Sequence, residues 1–431
     1  MKPIDAPRLP RGFRRAMKLA SFDGGVLMRA KFCLLAAVSG LAWGTPALAA
    51  PGDPMTIGEG VTFDPILATR LRYETVDQAN FPDSADALTL RARAGAELKA
   101  SGFSFLAEAE GTLALSEDYN DTLPGNGVEP FPTVADPENL ELNRLQVSYM
   151  KSGTGVTVGR QRIQLDNARF VGNSGWRQNE QTFDAVRGQA KFGPVVLDAT
   201  YSISQRTVFG VDSPNEHFDG DFVLLNGGVD LPVVDARAFA YLLDYDTRIA
   251  FSSQTYGVLV TGELAIPAVG KLTGLASYAR QSDYGANPVS YDADYLNVQL
   301  GLGLFGFTVT AGYEELGSDG GVAGFQTPLA SLHVFNGWAD LFLTTPAGGL
   351  RDYYAGFGRS IGVPFLPGLK ADLTYHEFDS DFGGLDYGSE WDASLGFKLG
   401  PVALLAKYAN YDARAFAADT KKFWLQAEVG F

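Results

Sequence analysis

Arginines at short, even spacings carry the first chemical signal in this chain: Arg70 and Arg72, Arg91 and Arg93, Arg144, Arg160 and Arg162, Arg187, and Arg351. Residues two apart on an extended strand share a face. In 64–76, Arg70, Arg72 and Glu74 share one phase, and Leu67, Leu71 and Tyr73 the other. In 87–99, Arg91, Arg93, Glu97 and Lys99 oppose Leu88, Leu90, Ala92, Ala94 and Leu98. In 140–150, Arg144, Gln146 and Ser148 oppose Leu145, Val147 and Tyr149. A guanidinium is a planar fork that grips carboxylates or phosphates through two parallel bonds. A wall of such groups lowers the barrier for an anion. Glu74, Glu97, Glu108, Glu110 and Asp184 are available to cancel part of that charge.

Other chemistries find less support. The histidines are His217, His333 and His376. Ser331 and His333 lie two apart, which puts them on one face of a strand but supplies no orienting acid at a motif spacing, so no catalytic residue is assigned. No Cys/His spacing suits a metal, and no glycine-rich phosphate cradle follows a strand. Asp379 and Asp381 read as a solvated acidic loop, so neither metal nor cofactor is expected.

The arginines need elements to position them, and residues 154–191 show what those are. Val156 and Val158, then Ile163 and Leu165, alternate with a polar face carrying Arg160, Arg162 and Gln164. A second alternating run, 181–191, holds Arg187, and a polar loop with Arg169, Trp176 and Arg177 lies between. An Arg-bearing face opposite an aliphatic face suits a wall with lipid outside and a water-filled lumen inside. The same stretch, GRQRIQLDNARFVGNSGWRQNEQTFDAVR, resembles the alginate-export family of bacterial outer-membrane barrels. A second block, FQTPLASLHVFNGWADLFLTTPAGGLRDYY (325–354), resembles another part of it. The resemblance implies an 18-stranded outer-membrane channel, whose best-known member exports an anionic polysaccharide. It does not carry that substrate over.

Residues 1–49 read as a secretion signal. Met28-Arg29-Ala30-Lys31 is a charged start, Phe32–Leu41 an apolar core too short to span a bilayer, and Ala47-Leu48-Ala49 a cleavage motif. Residues 1–27 are either a mis-assigned start or a long leader to that signal. Residues 50–431 are then the barrel. The single cysteine, Cys33, lies in the signal, so the mature chain has no disulfide framework. The signal holds 8 of the 34 Lys and Arg but 2 of the 50 Asp and Glu, leaving 26 against 48, a net charge of −22. So acidic a chain is a poor match for nucleic acid or an anionic membrane surface.

No apolar run beyond the signal reaches ~18 residues, which excludes transmembrane helices. Alternating segments instead recur at 64–76, 86–100, 103–116, 139–151, 154–165, 181–191, 194–208, 219–229, 233–246, 252–263, 270–283, 291–304, 306–317, 349–361, 368–380, 389–399, 401–412 and 421–431. Tight Gly/Pro turns such as Ser101-Gly102, Ser152-Gly153, Phe305-Gly306 and Gly400-Pro401 alternate with long polar connections. In hydrocarbon every backbone donor and acceptor must be paired within the protein, so the sheet must close. The expectation is an all-β fold: a closed antiparallel transmembrane β-barrel of eighteen strands, or sixteen, with short periplasmic turns and long extracellular loops. The last strand, alternating to a terminal Phe431, resembles the signal read by the barrel-assembly machinery.

The connection 318–348 is long and too apolar to be disordered. It is expected to fold into the mouth, with His333, Phe335 and Trp338 at a constriction; the alternative is an exterior loop against lipopolysaccharide or a neighbouring barrel. The nine arginines are assigned to the lumen wall, with Arg351 and Arg359 reaching it from a later strand. The functional expectation is an outer-membrane channel for anionic or sugar solutes in contact with lipid and lipopolysaccharide. A dedicated exopolysaccharide exporter, with periplasmic partners, is the alternative, and a structural or adhesive surface barrel is a further one.

Overall fold

A computed structural model describes residues 53–116, 118–123, 130–267 and 270–431. The expected signal segment lies outside the described residues. The strands are β1 (Met55–Gly58), β2 (Val61–Gln78), β3 (Ala85–Ala100), β4 (Phe103–Ala114), β5 (Asn139–Lys151), β6 (Thr154–Gln161), β7 (Thr182–Phe192), β8 (Val195–Arg206), β9 (His217–Asp230) and β10 (Val234–Tyr245). They continue as β11 (Ser253–Ile266), β12 (Gly270–Asp283), β13 (Asp292–Leu304), β14 (Phe307–Leu316), β15 (Leu350–Ser360), β16 (Lys370–Asp379), β17 (Asp386–Leu399), β18 (Val402–Ala413) and β19 (Thr420–Gly430).

Each strand from β2 onward pairs antiparallel with the next, and β19 returns to β2 along a register from Thr420 opposite Gln78 to Gly430 opposite Ala68. Eighteen strands therefore close a barrel, as the alternation predicts. The additional β1 folds back on the start of β2, where Met55 faces Phe63 and Thr56 faces Thr62, beyond the reach of β19. Its four residues are all exposed and show no alternation, so nothing in the sequence marks it as a strand.

The tight turns obey hairpin chemistry. Both central residues have positive φ at Ser101-Gly102 (51° and 87°), Ser152-Gly153 (51° and 79°) and Phe305-Gly306 (49° and 80°). That conformation matches the right-handed twist of the flanking strands. The β15–β16 connection is the longer member on this side, residues 361–369, and is closed by a Val363–Leu366 bridge.

The alternation divides the wall into two faces. Leu71, Val158, Leu300 and Leu425 are 42, 42, 60 and 49% exposed, forming part of an apolar outer belt. Hydrocarbon is the solvent such a belt needs. Among the described residues no helix is long and apolar enough to cross a membrane. The inner face is packed. On one side it is an apolar cluster that includes Phe183, Phe222, Tyr295, Phe378 and Trp424, and the cluster takes in Phe325, Leu329 and Phe342 from the long β14–β15 connection. On the other side it is charged.

Candidate transport pathway

The charged wall spans β2–β7. Arg70 stands directly opposite Arg91 across β2 and β3, and both are buried. Two like charges at that spacing repel. Glu428 on β19 resolves this by bridging them, 3.1 Å from Arg70 and 2.8 Å from Arg91. Arg72 lies 3.5 Å from Asp136 and donates to the Trp176 carbonyl at 2.6 Å. Arg93 pairs with Glu110 and Glu180, and Arg144 is bidentate on Glu108, at 3.0 and 2.7 Å. Arg162 joins Glu180 and Glu108, and Arg187 joins Asp198 at 2.6 Å. A buried charge stays ionised only when paired and hydrogen-bonded, which is why acid alternates with base here.

Two connections fold inward over this wall. In the first, between β6 and β7, Arg177 contacts Glu74 on β2 at 3.1 Å. Arg169 contacts Glu314 on β14 at 2.7 Å and Asn336 at 2.9 Å. The second, between β14 and β15, runs beside it: Val171 and Leu329 form a parallel bridge, and Arg177 reaches Asp340 at 2.8 Å. Gly337 and Ala339 of the second connection press on Glu390 of β17, where the Ala339 N–H donates to the carboxylate at 2.7 Å.

An aromatic and cationic knot locks the two together. The Trp176 and His333 rings are stacked at 4.3 Å with 2° between planes. Lys407 Nζ on β18 lies 3.6 Å from the Trp338 ring centroid, 4.1 Å from that of Trp176, and 2.7 Å from His333 Nε2. His333 Nδ1 is 2.8 Å from Asp340. Lysine can only donate, so Nε2 accepts and Nδ1–H donates, which is the neutral imidazole. Burial, opposed by Asp340 and reinforced by Lys407, holds the His333 pKa well below its ordinary value. Burial works against ionisation of Asp340, but His333, Lys422 and Arg177 together hold its carboxyl well below the usual range.

Among the described residues, two cavities lie against these connections. The larger, about 840 Å³, is walled by both inward connections, by Gln205 and Thr207 at the end of β8, and by Arg248 and Phe251 between β10 and β11. Among the described residues its cationic side chains are Arg177, Arg248 and Lys422, and its acidic side chain is Asp340. The smaller, about 350 Å³, is walled by β13–β17 and includes Glu314, Asp352, His376, Phe335 and Trp338. Asn167 and Val334 line both, so this pair lies between the two spaces.

Residues 67–220 match the family model described as alginate export. The fold is matched by crystal structures of outer-membrane porins: OccAB3 of Acinetobacter baumannii, at 15% identity, TM-score 0.66, covering 86% of this chain and 99% of that one. OccK9 of Pseudomonas aeruginosa matches at 16% identity and TM-score 0.67, with the same two coverages, 86% and 99%. OpdK of the same organism, solved with vanillate, matches at 14% identity and TM-score 0.67, again covering 86% and 99%. No curated protein matches by sequence. The chain is similar in fold to these outer-membrane porin barrels and, over 67–220, similar in sequence to the alginate-export family.

The matched residues include the first block of resemblance, 159–187, while the second, 325–354, lies outside them. Within the barrel, most of the expected arginines sit on the inner face, but two do not. Arg160 is registered opposite Asp184 and Leu145, in phase with Val156 and Val158, which are 41 and 42% exposed. It is bidentate on Asp184 and donates to the Leu142 carbonyl at 2.9 Å. Arg160 lies two residues beyond Val158 in unbroken register, so the alternation itself sets it on their face, and β6 then ends at Gln161, so 154–165 is not one regular strand. For the same reason Ile163 and Leu165, expected to face lipid, are buried in the interior cluster.

Arg351 shares its phase with Tyr353 and Phe357, 46 and 47% exposed, and pairs with Glu315 at 2.8 Å and with Asp381. It lies on the outer face near the long-loop rim, where a guanidinium can reach water. Neither cavity is lined by any of the nine expected arginines; Arg177, Arg248 and Lys422 take that position. Arg177 was visible in the sequence as part of the quoted signature, whereas Arg248 and Lys422 carried no pattern.

Of the constriction candidates, His333 lines the larger cavity, and Phe335 and Trp338 the smaller. Both His333 nitrogens are engaged, and Ser331 Oγ accepts from the Ser174 N–H at 3.0 Å, so the two do not form a nucleophile–base pair. Among the described residues no His/Asp/Glu group is placed to hold a metal ion.

Proposed function

We propose that the barrel conducts small anionic or saccharide solutes across the outer membrane. The observation that supports this most is the larger cavity, where three cationic side chains face one acid among amides and hydroxyls such as Gln164, Asn173, Gln181, Gln205 and Thr207. Cations steer anions, while amides and hydroxyls exchange hydrogen bonds with sugar hydroxyls as water does. The paired arginines of β2, β3, β5 and β7, with Arg162 just past β6, form the charged wall behind this space, and Arg70, Arg72, Arg93 and Arg162 hold the first inward connection in position. The junction at Asn167 and Val334 is the narrow point, with His333, Phe335 and Trp338 beside it.

Both cavity volumes fall in the range that encloses small ligands, about 300–1,000 Å³. That favours monomers and short oligomers over a continuous polymer. Secretion of an anionic polysaccharide is the second reading, favoured by the alginate export match over 67–220, and it requires the inward connections to be displaced. In cells the barrel would contact lipid and lipopolysaccharide, would be inserted by the barrel-assembly machinery, and as an exporter would meet periplasmic partners. Reversal potentials across a salt gradient in planar bilayers test the main reading. Anion preference and partial block by uronate oligomers are expected, and cation preference would overturn it.

A further inference from the structure

The cationic groups of the larger cavity differ in one respect. Arg177 is held by Glu74 and Asp340, and Lys422 by Asp340 at 3.4 Å. Arg248 has no carboxylate at ion-pair distance and gives none of its side-chain N–H groups to an acceptor among the described residues. It is half-buried on the long-loop side, preceding the single turn Ile249–Phe251. Its guanidinium carbon lies 3.9 Å from the ring centroid of Phe251 and 4.7 Å from that of Phe218, and both rings also line the cavity. Burial pushes its pKa down and Tyr245 opposes this.

Aromatic faces attract a cation without using its N–H donors. The side chain is therefore held in place with its hydrogen-bonding edge unspent. A partly desolvated guanidinium without a counter-ion is unfavourable by itself, and an arriving carboxylate relieves that cost through two parallel bonds. Arg162, Arg144 and Arg70 cannot do the same, because their forks are already taken by Glu180, Glu108 and Glu428.

We propose that Arg248 is the entry subsite on the long-loop side for a solute bearing a carboxylate on a ring, with Phe218 and Phe251 receiving the ring's face. This deepens the channel reading above and rests on it. A uronate and an aromatic acid share the required chemistry, so both are tested. The wild-type mature barrel and its Arg248→Gln and Arg248→Lys variants are placed in planar bilayers, and galacturonate, benzoate or glucose is added on the long-loop side.

The wild type should show concentration-dependent current block with the acids and not with glucose. Arg248→Gln should raise the half-blocking concentration at least tenfold. Arg248→Lys, which keeps the charge but loses the fork, should fall between. Loss of block for galacturonate alone would identify a uronate subsite, and loss for both a general ring-carboxylate subsite. Half-blocking concentrations within twofold of wild type in Arg248→Gln, at unchanged conductance, would overturn the subsite while leaving the channel reading standing. A cation-preferring wild type that neither acid blocks would overturn both.

Discussion

Arg177 Nη2 lies 2.8 Å from Asp340 Oδ2, while its Nη1 lies 3.1 Å from Glu74 Oε2. One side chain thus joins the first inward connection to the second and to the barrel wall at β2. Asp136 approaches the same guanidinium at 3.7 Å. Replacing Arg177 with Gln leaves several carboxylates buried around a neutral group. Breaking a buried pair in this way costs about 3–5 kcal/mol. The variant should unfold at lower denaturant concentration, and its open-channel current should become noisier as the inward connections loosen. Quiet current and wild-type stability would contradict the clasp.

Val334 and Asn167 give a second test, because they alone line both cavities. Val334 is 61% exposed within the barrel, so a larger side chain there meets space rather than packed atoms. Val334→Trp should therefore fold normally and lower single-channel conductance at least twofold. Deleting 322–345 should do the reverse. Unchanged conductance in both would show that ions pass elsewhere.

The His333 knot makes stability depend on pH with a definite sign. Its folded pKa is depressed, so the unfolded chain binds the proton more readily than the folded one. The stabilisation is complete above the ordinary imidazole value of ~6.5 and is lost as pH falls below it toward the folded value. The groups facing the ring are Asp340, Lys407 and, through Asp340, Lys422 and Arg177. Asp340, also depressed, keeps its contribution above the ordinary carboxyl value and loses it only in stronger acid. Thermal unfolding in detergent should move to lower temperature between pH 7.5 and pH 5. His333→Gln, which titrates nowhere in that window, should flatten the slope.

Glu428 separates Arg70 from Arg91 at the seam where β19 meets β2. Glu428→Gln removes the charge and keeps the shape. A hydrogen bond to a charged group is worth about 1.5–3 kcal/mol, and two are weakened here. The folded barrel should lose its compact gel mobility at a lower temperature, and the reversal potential should shift toward greater anion preference. An unchanged reversal potential would mean that this part of the wall does not feel the permeating ions.

The barrel was legible because lipid and a packed interior impose alternation on every spanning strand, and because Ser101-Gly102 or Phe305-Gly306 can adopt backbone angles that other pairs resist. The arginine phases were legible only where a strand stays regular. Arg70, Arg72, Arg91 and Arg93 lie on long regular ladders and face inward. Arg160 sits in step with Val156 and Val158, and Arg351 in step with Tyr353, which the alternation itself could have shown in both cases. The inward course of the β6–β7 connection was not legible, since the partners of Arg169 and Arg177, Glu314 and Glu74, are more than a hundred residues away in sequence. Pairings of that kind are set by closure of the sheet and leave no local pattern.

The span from Glu74 through Arg177 and Arg169 to Glu314 has a mechanical meaning as well. A hollow cylinder of hydrogen-bonded ribbons flattens into an ellipse under sideways load. A crosspiece anchored at β2 and at β14 acts as a spoke, and it resists both squeezing and bulging along that diameter. The aperture is thereby shielded from stress in the surrounding bilayer.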